Sequence, residues 1–366
     1  SNNTAIGRGA LQLNTTGASN VALGALALDA NTTANSGTAI GHNALSANTT
    51  GSENTAVGES ALELNTTGGT NVAVGREALA ANTTASNNTG VGYRALLSNT
   101  TGAQNTAVGK GAGQVLTTGS FSVFIGDAAG DAVTTADSNV AVGQNALTNT
   151  TTGSVNTAIG RQALQTNTTG SNNIAVGNQA LLNSTTADSN TIVGNYAGDA
   201  VTTGSRNVGM GEYAMSGTTT GADNTAIGKS ALQANTTGDQ NVALGRSSML
   251  NNQTHHRNTS VGYQSMASGV QGDNNVAIGY NSLYTNTADN NTALGYNSLF
   301  ANTSGTLNTA VGQGALDANT TANNNTAVGH ASLTANTTGA NNTALGTFAL
   351  DANTTASNNV AVGYSS

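Results

Sequence analysis

Asn54-Thr55-Ala56-Val57-Gly58-Glu59-Ser60-Ala61-Leu62-Glu63-Leu64-Asn65-Thr66-Thr67-Gly68-Gly69-Thr70 is one 17-residue unit, and the chain repeats it from end to end. Counting Asn54 as position one, the glycine at position five returns at Gly7, Gly24, Gly41, Gly58, Gly75 and onward to Gly363. There are 22 such copies, with a single 16-residue step between Gly279 and Gly295. A fixed period of this length is the signature of a solenoid, in which each repeat buries its face only by stacking on its neighbours. The 366 residues therefore read as one repeat domain, 1–366, of about 22 stacked units.

Position two is β-branched in all 22 copies (Thr4, Val21, Thr38, Ile174) and position four is aliphatic in all 22 (Ile6, Leu23, Met210, Val362). Such residues at a spacing of two predict a short strand with both side chains on one face, expected to be buried. Position three is Ala in 17 copies and lies on the opposite face, where a second surface is expected to approach closely. Gly at position five suits positive φ or close backbone approach.

Positions six to eleven, as in Arg76-Glu77-Ala78-Leu79-Ala80-Ala81, are rich in helix formers and predict a short helical turn. Position nine is Leu or Met except at Gly113, Gly130 and Gly198, and in those copies position twelve changes to Leu116, Val133 or Val201. An aliphatic group lost at one place returns three residues later, as expected if both positions fill one pocket. Asn-Thr-Thr with Gly or Ala then forms a return turn. The fold class expected is mainly β: a repetitive β-solenoid, of β-roll or β-prism type, with one helical turn per repeat.

Composition narrows the function. The chain has 47 Gly, no Pro, Cys or Trp, 3% aromatic and 7% charged residues, and a net charge of −8. Without cysteine there is no disulfide, zinc-thiolate or cysteine-nucleophile chemistry. An acidic chain lacks the basic stripe that a nucleic-acid partner or a polybasic membrane contact needs. No run of about 18 apolar residues occurs, and the first residues do not read as a signal peptide. Membrane anchoring is thus expected only through segments outside this sequence. With few large apolar residues per unit and small or polar residues at positions ten and sixteen, the core of one chain is thin. A parallel homotrimer sharing an axis is expected. The chain enters at position sixteen and leaves at position eight without a capping segment, so it reads as a stretch of a longer fibre that continues end to end.

The Asn-Thr/Val-Ala-Ile/Val-Gly-x-x-Ala core, at Asn54 to Ala61 and Asn224 to Ala231, resembles the head repeats of trimeric autotransporter adhesins and related repeats of bacterial and phage tail-fibre proteins. The Asn-Thr-Thr-Gly spacer looks more like the tail-fibre version. The resemblance implies a trimeric parallel β-roll or β-prism at a cell surface or on a virion, attaching to a host, matrix or abiotic surface. The unit here is longer than typical adhesin-head units, and the sequence shows no neck, heptad stalk, membrane-anchor barrel or C-terminal chaperone domain.

Candidate chemistry is sparse. His42, His255, His256 and His330 have no acidic cluster at metal-ligand spacing and read as exposed polar positions, while a calcium turn near Asp127 and Asp131 is the weaker alternative. Gly-x-Gly, as at Gly7-Arg8-Gly9, lacks the third glycine and βαβ context of a dinucleotide fingerprint. No catalytic residue, metal or cofactor is expected, and the protein reads as a non-enzyme. Asn-Thr-Thr at Asn14, Asn31, Asn48, Asn65, Asn82, Asn167, Asn235 and Asn336 is formally a glycosylation sequon, but its phase suits turn geometry better. The segment 246–305 is irregular: the Thr pair is lost at Gln253-Thr254, Val270-Gln271, Thr287-Ala288 and Thr303-Ser304. Tyr263, Tyr280, Tyr284, Tyr296 and Phe300 gather there, a candidate patch for a surface glycan or protein receptor, against the plainer reading of aromatics used as ladder filler.

The leading expectation is an extracellular, cell-surface or virion fibre or adhesin shaft that attaches multivalently. The alternatives are a single-chain Thr-rich solenoid that binds ice, and a virion tail-fibre shaft that binds a host receptor. Adjacent Thr residues would diverge along an extended segment, which weighs against an ice-binding row of Thr pairs.

Overall fold

The computed structural model describes residues 2–270 and 272–366; Gln271, one half of the Val270-Gln271 pair, lies outside the described residues. Two compact units, Ser1–Ala187 and Asp188–Ser366, each contain a parallel ladder of three-residue strands. The first unit holds β1 (Thr4–Ile6) through β11 (Ile174–Val176), the second β12 (Thr191–Val193) through β22 (Val360–Val362). Within each unit every strand pairs in register with the next, so the 17-residue period of the sequence becomes the pairing offset: Thr55 lies opposite Val72, Ala56 opposite Ala73, and Val57 opposite Val74. The protein is thus mainly β, a parallel β-solenoid of about 17-residue turns.

The strands face the other way from the sequence expectation. In the strand Thr55–Val57 the central Ala is buried and the flanking residues are partly exposed. Within one chain, positions two and four are the outer face and position three is the inner wall. The reason is thickness. The strand and the return segment close on each other so tightly that the inner rows hold Ala at position three, Ala or Ser at position eight, Leu or Met at position nine, and Asn at positions one and twelve. A valine or isoleucine row at both inner strand positions would overfill that space.

No helix occurs among the described residues. The helix-forming composition of positions six to eleven was misleading because two residues there adopt positive φ: Ser60 (55°) and Leu62 (51°), with the same alternation in other repeats. Left-handed residues interleaved with others turn successive peptide groups in different directions. Ala61 N–H and Asn65 N–H close local turns onto Gly58 O and Leu62 O, whereas Leu62 and Leu64 donate forward to Ala78 and Ala80, and Ser60 donates back to His42 O. A left-handed leucine costs roughly 1–2 kcal/mol. Full burial of its side chain gives roughly 1.5–3 kcal/mol in return, and each ladder hydrogen bond about 1 kcal/mol more.

The glycine at position five is imposed by the stacking. Gly58 has φ +136°, and a Cβ there would lie 2.5 Å from Gly75 O of the next turn. Two asparagine ladders line the interior. At position one, Asn54 Oδ1 accepts from Asn71 N–H (2.9 Å) and its amide donates to Gly68 O (2.8 Å). At position twelve, Asn65 donates to Asn48 Oδ1 (2.8 Å) and Gly68 O (2.9 Å), and accepts from Asn82 (2.8 Å). The single backbone polar groups of a tight return turn are thereby satisfied without water, as burial demands.

The exchange between positions nine and twelve is present, but through a tight turn rather than a helix, and it has a third member. Leu116, Val133 and Val201 are fully buried, and their N–H groups bond to Gly113 O, Gly130 O and Gly198 O. Strand position three changes as well. Phe124 in β8 (Val123–Ile125) is fully buried where other repeats carry Ala, and a Cβ on Gly113 would lie 2.8 Å from its Cδ2. Fully buried Ile192 stands in for Ala in the repeat of Gly198 in the same way. The apolar volume that leaves position nine returns from both sides of the core. The missing amide leaves a mark: with Leu116 next in the row, Asn99 Oδ1 is buried without a partner.

Candidate functional site

The outer face of each ladder is the most extensive surface feature. Positions two and four carry no charged residue in any of the 22 copies. In the interior of the ladders, 11 of the 20 position-four side chains are exposed, from 36% (Ile40) to 47% (Leu345), and the other nine, such as Val57 and Val142, are half-buried. Because neighbouring strands lie about 4.8 Å apart, eleven rungs of one aliphatic and one β-branched side chain present on the order of 1,000 Å² of uncharged surface per unit, apolar except where Thr at position two adds a hydroxyl. Soluble monomers rarely expose more than a few hundred.

The five aromatics singled out in the sequence fall into two stacks. Tyr263, Tyr280 and Tyr296 occupy position six of successive repeats, with ring centroids 5.5 and 5.3 Å apart and planes inclined by 10°. Tyr284 and Phe300, at position ten, form the second stack at 5.3 Å and 6°. Inside each stack the ring faces cover one another, and the Arg246 guanidinium lies 5.9 Å from the Tyr263 ring. The position-six rings therefore present edges and hydroxyls outward. Sequence reasoning missed a third stack, Tyr196 on Tyr213 at 5.3 Å and 9°. Their 17-residue separation was the available signal. In the first unit, positions six and seven instead carry an ion-pair ladder: Arg76 reaches Glu59 (3.5 Å) and Glu77 (2.9 Å), and Arg94 reaches Glu77 (2.6 Å). The Arg94 hydrogen bond holds the Glu77 carboxyl below its ordinary value.

Position sixteen is a row of acceptors. Ser86 Oγ accepts from Gly69 N–H, and Asp137 Oδ1 from Ser120 N–H. In the irregular segment the row reads Asp239, His256, Asp273, Asp289. His256 Nδ1 accepts from Asp239 N–H (2.9 Å), and Asp273 Oδ1 accepts from His256 N–H (2.9 Å). Burial pushes the Asp273 carboxyl up, but the His256 N–H and the neighbouring His255 and His256 side chains together hold it below its ordinary value. His330 packs edge-on against Phe348 at 5.1 Å. Among the described residues no group of three His, Cys, Asp or Glu side chains is placed to hold a metal ion. Asp131 is raised by burial, with Asp127 adding repulsion, and the pair gathers no third acidic ligand. The sequon asparagines are inner-ladder residues: Asn31, Asn65, Asn82, Asn167, Asn235 and Asn336 are fully buried, which closes their amides to a glycosyltransferase in the folded chain. No helix among the described residues is long and apolar enough to cross a membrane.

A stacked solenoid with an uncharged outer sheet face is the class of protein that the geometry defines. No family model matches the chain, and no curated protein matches it.

Proposed function

We propose that the chain is a non-enzymatic extracellular fibre or adhesin shaft, at a cell surface or on a virion, whose copies pack as a parallel homotrimer through positions two and four. The observation that carries this reading is the uncharged apolar face. A stable interface takes about 800 Å² from each partner, and the face offers that much in either unit. Uncharged rungs of similar size at a constant spacing also suit packing against the rungs of another copy. The stacks of Tyr263, Tyr280, Tyr296, Tyr284 and Phe300 are the proposed contact with a surface glycan or protein receptor, made by ring edges and hydroxyls and multiplied by the number of chains. The test is to replace Val142 and Ile159 by Asp. Dispersed chains that no longer attach to surfaces support the reading, whereas full assembly with two carboxylates in the face would contradict it. Replacing Tyr263, Tyr280, Tyr284 and Tyr296 by Ala should weaken attachment and leave assembly intact.

One observation favours ice binding as a second reading. Thr occupies position two in 13 of 22 copies, and in this fold those Thr point outward beside the aliphatic row, the longest unbroken run being Thr292, Thr309, Thr326 and Thr343. The adjacent Thr pair at positions thirteen and fourteen is not that row. Thermal hysteresis decides between the readings: a dispersed chain that shapes ice crystals supports ice binding, and its absence leaves the face to other copies.

A further inference from the structure

Three tyrosines in register invite a reaction that none of them would undergo alone. We propose that Tyr263, Tyr280 and Tyr296 are an oxidative cross-linking site, where peroxide acting through a one-electron oxidant such as a haem peroxidase joins neighbouring turns of one chain. The rings are held parallel at 5.5 and 5.3 Å, and each is about half exposed (40%, 45% and 51%). An oxidant can therefore reach each ring, and each ring has room to rock. Every phenol gives up one electron and its hydroxyl proton. Two adjacent phenoxyl radicals then form one carbon–carbon bond between positions ortho to oxygen, and the two ring hydrogens displaced there move to the oxygens as aromaticity returns. The chain loses two hydrogens per cross-link, and one hydrogen peroxide becomes two waters. Coupling competes with escape of the radical, so a neighbour already held in place gains the advantage of an intramolecular reaction.

Tyr93 and Tyr364 lack this arrangement. Tyr93 has the guanidinium of Arg94 4.9 Å from its ring and that of Arg76 at 5.9 Å, while Tyr364 meets Phe348 edge-on. Tyr196 and Tyr213 are the second candidate pair, less open to solvent at position seven. A bond from Tyr280 to Tyr296 would span the one 16-residue step and staple the repeat that departs most from the period. The inference concerns turns of a single chain and holds whether or not copies assemble.

The experiment treats the intact chain, dilute, with a haem peroxidase and hydrogen peroxide. Dityrosine fluorescence should appear, with peptide maps linking 263 to 280 or 280 to 296 and no covalent dimer on a denaturing gel. Y280F keeps a ring in the stack but leaves Tyr263 and Tyr296 two rungs apart, about 10 Å, and should lower cross-linking in this row at least tenfold. Y93F should leave it unchanged. No dityrosine, an unchanged yield in Y280F, or products dominated by covalent dimers would overturn the proposal.

Discussion

The turns between Thr38 and Gly102 and those between Arg246 and Gly305 build the same ladder from different materials. In the first stretch position twelve is Asn48, Asn65, Asn82, Asn99, position eight is Ala, and the outer corner carries the Glu59, Arg76, Glu77, Arg94 ion pairs. In the second, position twelve includes Gly269 and position eight is Ser248, Ser265, Ser282 and Ser298. There the corner carries stacked tyrosines. One residue is missing from the return loop, yet Val276 still pairs with Thr292 and Ala277 with Ala293. The buried serines find partners, Ser282 Oγ with Ala293 O and with Ser298 Oγ. The strand and its glycine are what the fold requires, and the position-one asparagine is replaced only at Gly37 and Ser122. The return loop and the corner row are free to vary, so function can be written there.

Substitutions can break this comparison at graded cost. Gly75→Ala puts a methyl group 2.5 Å from Gly92 O at φ +132° and is expected to cost roughly 4 kcal/mol or more through strain and backbone displacement. Gly314→Ala, also at positive φ but with nothing within 4 Å, should cost only about 1 kcal/mol, and thermal unfolding of the two variants checks the contrast. Phe124→Ala restores the common residue but empties the core, at about 3–5 kcal/mol. Adding Gly130→Leu should recover part of that loss, and a double-mutant cycle with no coupling would contradict the exchange between positions three and nine.

Asn65→Ala removes a donor and an acceptor from an unbroken ladder and should cost about 2 kcal/mol. Asn99→Ala should cost about half as much, since its Oδ1 already lacks a partner, and denaturant midpoints compare them. Val155 is a β-branched residue at φ +60°, 55% exposed, so Val155→Asn should gain up to about 1 kcal/mol. The smallest effect is electrostatic. Burial raises the Asp317 carboxyl above its ordinary value, and its Oδ1 has no partner. The folded state then bears a penalty for the charged form that is present at neutral pH and relieved as pH falls through the raised value. Asp317→Asn should accordingly gain a few tenths of a kcal/mol at pH 7, and the gain should shrink in melts at acid pH.

The period, the strands and the glycine turn were legible because stacking copies every residue's environment, so each constraint is written 22 times. The helical turn was misread for a local reason: Ala, Leu and Glu favour helices in isolation, but Ser60 and Leu62 are held left-handed by bonds to other turns. The facing of the strand was misread because Thr55 and Val57 are the larger apolar residues, and size suggested burial. Asn at position one in 20 of 22 copies, with Gly37 and Ser122 the exceptions, shares a face with Ala56 and was the contrary signal, since so uniform a polar row is enclosed by copies of itself. The aromatic residues were visible as a cluster. Their division into two stacks depends on the difference between positions six and ten, which the period already contained.

The central claim is that the outward face of positions two and four is covered by other copies of the chain, and the most direct test is the mass of the protein by light scattering at high dilution without cross-linking. A mass of three chains that falls to one when Val142 and Ile159 become Asp is the predicted result. A stably folded monomer, with its apolar face in water and no tendency to associate, would contradict it.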